Sequence, residues 1–470
     1  MDLLAEAPAV PVLLSLCLFL PWSSRLPPPV MGATAALFTL GSLMVLSVKW
    51  DRRRYVMAAL VTTISFVVAF YCSVRLDENY LSGTIDTTGI VVAERSWGTG
   101  RAMVIDTSEG RFVAKVPAIR SHLEGTELDL SGEVVPLRGA RDKGGFDERL
   151  YWLARGVSGE LIVGKSIDRG RTFSLGSLRS NLRRRILLRL PPLTRGYLLA
   201  SLLGGKDPDL ERSHRRWGTA HLLAVSGFHV GVVAALAWVA FRRFRLAWLF
   251  VSAVVWLYVL LAGGAASSVR AALMIQLATL GPAIGRPSSG VNSVALAAIA
   301  LLAWRPWWFW DLGWRLSVSC ALVVTAMAST KGVSTWKKAL AMSPLLWVVT
   351  APMIAGAFGS VSANGLILNL VALPVFGVLL PLAVFCSLPS LLGLPGGDIC
   401  TLISEGAFKL WALGADSIPF VSVGWNPWFP ALAVGVVTIV MILRFRIPVY
   451  RGGVLLLVLV SLEKLLMDFL

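Results

Sequence analysis

The chain has more long apolar runs than a water-soluble core can absorb. "VMGATAALFTLGSLMVLSV" (30–48) and "YVMAALVTTISFVVAFYC" (55–72) contain no acidic or basic residue. At 1.5 Å per residue, about 20 apolar residues cross the hydrocarbon layer of a bilayer. Further apolar segments follow near 218–240, 246–262, 266–284, 291–304, 310–329, 339–358, 362–388, 428–443 and 452–467. Hydrophobic residues make up 56% of the 470 and charged residues 15%, well below the charged share of an ordinary soluble domain. The sequence therefore reads as a polytopic α-helical membrane protein. "APAVPVLLSLCLFLPW" (7–22) has the look of a signal peptide but lacks a basic leader, and an apolar run follows at once. It reads as a retained, short first span.

Charge is distributed unevenly. Residues 1–73 hold five Lys/Arg against three acids, residues 74–179 hold fifteen of each, and residues 180–470 hold twenty-four against nine. The net charge of +17 thus belongs to the membrane region and its loops. "KWDRRR" (49–54) is a short basic loop, of the kind that stays cytoplasmic, which sends residues 74–179 to the outer face. "FRRFR" (241–245), "KGVSTWKK" (331–338) and "RFRIPVYR" (444–451) agree with that orientation.

The outer segment alternates short Val- and Ile-rich pieces with Gly or Asp turns: "GTIDTTGIVVAE", "GRAMVIDT", "RFVAKVP", "TELDLSGEVVPLR" and "SGELIVGKSI". Five such strands in about ninety residues predict a small β-barrel, OB-like in kind, inserted after the third span. "GGFDERLYWLARG" predicts a short helix with Asp147 near its start. The expected organisation is N-terminal transmembrane helices over 1–73, an extracytoplasmic OB-like domain over 74–179, a basic amphipathic interfacial linker over 180–215 and a transmembrane domain over 216–470. The stretch 398–418 reads as an interfacial helix. Five scattered cysteines, none in a C-x-x-C pair, predict apolar fillers rather than disulfides or a zinc site.

Polar residues inside the apolar runs carry the functional question. In "HLLAVSGFHVGVVAALAWVAF" (221–241), read as one helix, Ser226 and His229 share a face and His221 lies about 80° away. All three then face one cavity; the competing reading puts His221 at the interface and His229 in an internal hydrogen bond. Gly227 and Gly231 form a G-x-x-x-G pair that permits close helix packing. Arg270, with Ser267 and Ser268 beside it in "GGAASSVRAALM", is costly among such flanks. It either lines an aqueous path, where its forked donors attract phosphate, or pairs with an acid such as Asp311. Arg315 in "WWFWDLGWRLSVSC" raises the same question beside a Trp-rich belt. No hydrolase elbow, phosphate loop or metal motif is present. The expectation is no catalytic residue, no cofactor and no metal.

Several blocks carry a resemblance. "GTAHLLAVSGFHVGVVAAL" (218–236), "SVRAALMIQLATLGPAIGRPSSGVNSVALAAIALLAWRPWW" (268–308) and "GSVSANGLILNLVALPVFGVLLPL" (359–382) resemble, in order, conserved blocks of the ComEC/Rec2 competence proteins. "GGFDERLYWLARGVSG" (144–159) and "LLASLLGGKDPDL" (198–210) are similar to that family's segments around its outer domain. Phe228, "GGAASSVR" and "GWRLSV" depart from the family's usual residues at those places. The resemblance implies an inner-membrane channel that passes one strand of incoming DNA during natural transformation. It implies single-stranded DNA, membrane lipids, an extracytoplasmic DNA receptor, a separate nuclease and a cytoplasmic ATP-driven translocase as partners. Many members append a metallo-β-lactamase-like domain; this sequence shows no H-x-H-x-D-H motif, so the form without that domain is expected. Two other readings stay open: a transporter or flippase for another anionic substrate on the same scaffold, and a non-conducting membrane scaffold.

Overall fold

The computed structural model describes residues 6–23, 26–46, 52–76, 82–139, 146–283, 289–330 and 332–426, with isolated positions between 432 and 444. The start of the "KWDRRR" loop, the loop at 444–451 and the spans expected at 428–443 and 452–467 lie wholly or largely outside the described residues.

Three helices open the chain: α1 (Ala9–Phe19), α2 (Pro28–Leu46) and α3 (Arg52–Leu76). Buried hydroxyls tie them together where lipid-like surroundings leave polar atoms no other partner. Ser15 Oγ lies 2.9 Å from Ser65 Oγ, and Thr39 Oγ1 donates to the same atom at 2.8 Å.

α3 leads into five strands, β1 (Gly83–Trp97), β2 (Gly100–Thr107), β3 (Gly110–Val116), β4 (Thr126–Val135) and β5 (Gly159–Arg171). They close into a barrel of order β1-β2-β3-β5-β4, antiparallel except for the β3–β5 pair. β1 is long enough to pair with β2 along one half and β4 along the other, bending at an irregularity between Val91 and Ala93. Gly89 sits at this crossing, where a Cβ would fall 2.6 Å from the Ile105 side chain.

Strand alternation sorts the barrel's side chains onto two faces. Met103, Ile105, Phe112, Leu128 and Leu161 fill the interior. Ala102, Val104 and Val113 point outward, yet they too are buried, beneath the short helix α4 (Glu148–Leu153). Asp147 starts that helix, accepting from Leu150 N at 2.9 Å, and Trp152 is its fully buried anchor.

Sequence reading puts the barrel after a third span. The structure corrects this: among the described helices, α3 is the first one long and apolar enough to cross a membrane. α1 has 11 residues, about 16 Å of rise, because Pro21 ends it in a 3-10 turn. That is roughly half a hydrocarbon core.

Beyond the barrel come α5 (Leu175–Arg189), α6 (Pro192–Leu203) and α7 (Pro208–Trp217). Then follow α8 (Gly227–Phe241), α9 (Ala247–Leu261), α10 (Ala266–Ala283) and α11 (Gly290–Trp304). The described chain continues through α12 (Leu312–Ser329), α13 (Thr335–Phe358), α14 (Gly365–Leu392) and α15 (Gly397–Asp416). Two three-residue strands, β6 (Ser360–Ser362) and β7 (Ser422–Gly424), pair across the ends of α13 and α15. α3, α12, α13 and α14 are long and apolar enough to cross a bilayer. The protein is a multi-pass inner-membrane protein with an inserted closed β-barrel.

α5 is held at both ends. Arg179 pairs with the barrel's Glu124 at 3.1 Å and donates to the Leu203 carbonyl at 3.2 Å. At the other end, Arg189 donates to the Ser390 and Leu391 carbonyls, the last turn of α14. A cation there satisfies orphan carbonyls and the negative end of the helix dipole. A second tether runs through α4: Trp308 Nε1 donates to the Ala154 carbonyl, and Arg155 lies 3.5 Å from Asp311.

Candidate functional site

The segment 218–231 is built from interrupted helix. α7 carries its own boundaries: Asp207 accepts from Asp209 N and Leu210 N at its start, Pro208 fits the first turn, and Gly218 ends it at φ +71°. His221 then sits on a 3-10 turn (Ala220–Leu222), and α8 begins only at Gly227. The sequence reading of 221–241 as one helix is thus corrected. Left-handed Gly218 and extended Ser226, at φ −123°, ψ 174°, unwind its first six residues.

This unwinding separates the two histidines. His221 is exposed and lines a cavity. His229 is buried, 4% exposed, and shares a 3.2 Å hydrogen bond with Ser226 Oγ through Nδ1. Its Nε2 has no hydrogen-bond partner among the described residues. Ser226 lines the cavity; His229 does not contribute to its wall.

Arg270 lies on α10 at 5% exposure, with its head in the cavity wall. Nε and Nη2 donate to Ser317 Oγ on α12 at 3.0 and 2.7 Å, and Nη1 reaches the Met274 sulfur. No carboxylate lies within salt-bridge distance of Arg270 among the described residues. Asp311 instead faces Arg155 and caps α12 by accepting from Trp314 N at 3.0 Å. Ser267 lines the cavity and donates to the Val225 carbonyl at 2.8 Å, holding the start of α10 against the unwound segment. Ser268 is fully buried and bonds within its own turn to Ala265. Arg315 lines the cavity, donating through Nε to the Phe309 carbonyl at 2.7 Å.

The glycine pair divides in the same way. A Cβ on Gly227 would lie 3.4 Å from Arg270 Nη2, so this glycine brings α8 against the arginine. Nothing lies within 4 Å of a Cβ on Gly231, which faces the cavity rather than a packed helix.

A half-open cavity of about 3010 Å³ is lined by residues of both the barrel and the membrane helices. Twelve Lys/Arg and six Asp/Glu contribute to its wall, so the cavity carries an excess of positive charge. At the barrel rim Trp97, Phe146 and Tyr151 form an aromatic cluster with centroids 5.4–6.1 Å apart. The Arg155 guanidinium lies 3.6 Å from the Tyr151 ring centre. Burial lowers the proton affinity of Arg155 and Arg179 below the usual arginine range, but both remain cationic at any working pH.

Sequence reasoning did not reach Ser317, nor the aromatic rim. Ser317 is 47 residues from Arg270, and Trp97 is 54 from Tyr151. No local spacing marks such pairs. Among the described residues, no group of three or more His, Cys, Asp or Glu side chains is placed to hold a metal ion, and the five cysteines are free thiols.

Residues 203–448, just over half the chain, match the family model described as "Competence protein". The chain belongs to the competence protein family. This competence protein is also similar to ComE operon protein 3 of Bacillus subtilis (strain 168), 24% identical over 392 residues. The alignment covers 76% of the chain and 49% of that relative, so the chain spans about half the length of the curated protein it matches. No solved structure matches it significantly.

Proposed function

We propose that this competence protein forms a membrane passage that conducts single-stranded DNA into the cytoplasm during natural transformation. The observation that carries the proposal is the cavity of about 3010 Å³ lined by both barrel and membrane helices, with twice as many basic as acidic residues in its wall. A polyanion needs a wet, positively biased route, and attraction to its phosphates is largely independent of sequence. The barrel, whose strand order β1-β2-β3-β5-β4 is read here as OB-like, supplies the outer end. Its β2–β3 outer face is covered by its own α4, so contact with the strand shifts to the rim, where Trp97, Tyr151 and the 65%-exposed Phe146 offer stacking surfaces beside arginines. Unpaired bases stack there and paired bases cannot, which favours a single strand.

In this proposal the barrel is extracytoplasmic and receives the strand from a DNA receptor, while a separate nuclease removes the complementary strand. A cytoplasmic ATP-driven translocase supplies the pull, since the chain has no phosphate loop. His221, Ser226, Ser267, Arg270 and Arg315 are the pathway residues, with His229 positioning Ser226 from behind. The test is uptake of labelled DNA in cells lacking this protein, paired with reconstitution of the purified chain in liposomes. Loss of internalisation, restored by the wild-type gene, is expected. Normal uptake without the protein sinks the proposal. Flux of other anions without DNA flux supports the transporter reading, and impermeable liposomes support the scaffold.

A further inference from the structure

Two positive groups meet in the cavity wall with no carboxylate paired to them among the described residues. The first is the N-terminus of α8. The backbone N–H groups of Gly227, Phe228 and His229 find no acceptor among the described residues, because Ser226 turns its hydroxyl to the His229 ring instead of capping them. These groups concentrate the positive end of a 15-residue helix dipole. The second is the Arg270 guanidinium, more than nine-tenths buried. Five N–H donors there have one hydroxyl oxygen and one thioether to receive them.

The two groups are adjacent: a Cβ on Gly227 would stand 3.4 Å from Arg270 Nη2. Arginine cannot shed its proton to relieve the charge. A buried cation beside a helix N-terminus, with no carboxylate in reach, repels its neighbour unless an anion sits between them. Ser226, Gly227, Arg270 and Ser317 all open on the same cavity, so such an anion enters from the passage.

We propose that the N-terminus of α8, Arg270 and Ser317 form a seat for one tetrahedral oxyanion, namely a single phosphodiester of the transported strand. The identity of that anion rests on the DNA-passage reading; the seat itself rests on the geometry alone. The strand's phosphate receives the forked donors of Arg270 on one side and the α8 N–H groups on the other. Each phosphate in turn occupies the seat, so the strand advances one nucleotide register at a time.

The test uses the purified full-length chain in nanodiscs, titrated with fluorescent oligodeoxythymidylate across a salt series. Loss of one single-strand phosphate contact lowers the slope of log affinity against log salt by about 0.7. Arg270→Gln is expected to lose that much slope and at least about tenfold in affinity at low salt, whereas Arg270→Lys keeps the slope. Ser317→Asp delivers an internal carboxylate to Arg270, and is expected to fold like wild type and lose the same slope. It decides the matter should Arg270→Gln fail to fold. Oligonucleotide binding with unchanged slope and affinity in folded Ser317→Asp overturns the seat and leaves the DNA reading standing. If wild type binds no oligonucleotide but inorganic phosphate raises its thermal midpoint, and does not raise that of Ser317→Asp, the seat stands and the DNA reading falls. Wild type that responds to neither probe overturns both.

Discussion

Replacing Gly218 with alanine should damage the protein through two effects that add. Gly218 closes α7 in the left-handed region at φ +71°, where a side chain costs about 1–2 kcal/mol. The new Cβ would also lie 2.6 Å from the backbone nitrogen of Gly365 and 2.8 Å from its Cα. Backbone does not yield like a flexible side chain, so overpacking adds about 1–3 kcal/mol. The expected total is about 2–5 kcal/mol. For a bundle of a couple of hundred residues, each kcal/mol moves the thermal midpoint by about 2–4 °C, giving a drop of roughly 4–20 °C. Gly231→Ala is the matched control. It lies inside α8 with open space around its Cβ, and alanine there should stabilise by about 0.5–1 kcal/mol. The assay is the thermal midpoint of the detergent-solubilised full-length chain, with folded yield measured on the same samples. Equal midpoints for the two variants would refute the argument that the Gly218–Gly365 contact sets the crossing of α7 and α14.

Two further expectations follow from other parts of the fold. A cysteine placed at Ser108, exposed at the turn between β2 and β3, should react with an impermeant thiol reagent added to intact spheroplasts; labelling only after lysis would reverse the proposed orientation. Glu405, 4% exposed, accepts from Thr194 N at 2.9 Å and Leu193 N at 3.3 Å at the start of α6. Glu405→Gln removes the charge from these bonds and should destabilise by about 1–3 kcal/mol, so a thermal midpoint equal to wild type would show that this cap contributes nothing.

Much of the architecture was legible because it depends on periodicity and on local stops. Apolar runs placed α9 to α14 within a few residues, since helix length in a bilayer follows from rise per residue. Val- and Ile-rich alternation placed the five strands, and Asp147 marked a helix start by the chemistry of the cap. The misreadings occurred where a single backbone conformation outweighs composition. Left-handed Gly218 and extended Ser226 unwind 221–226 although every apolar residue there is compatible with helix. Pro21 shortens α1 below a bilayer crossing while its composition still reads as a span.

The sequence by itself determined that the chain is a membrane protein with a small β domain, and that Arg270 among apolar flanks demands an explanation. Hydrophobic length and side-chain period are properties of consecutive residues, so one dimension is enough to read them. Tertiary structure alone decided which partner each buried polar group meets. Asp311, a candidate for Arg270, faces Arg155 of the barrel instead, and Ser317 takes the place at the guanidinium. His221 opens on the cavity while His229, eight residues on, turns into the protein. These outcomes depend on how helices distant in the chain cross one another. Such crossings are set by close contacts, like that of Gly218 with Gly365, between residues that no spacing along the chain connects.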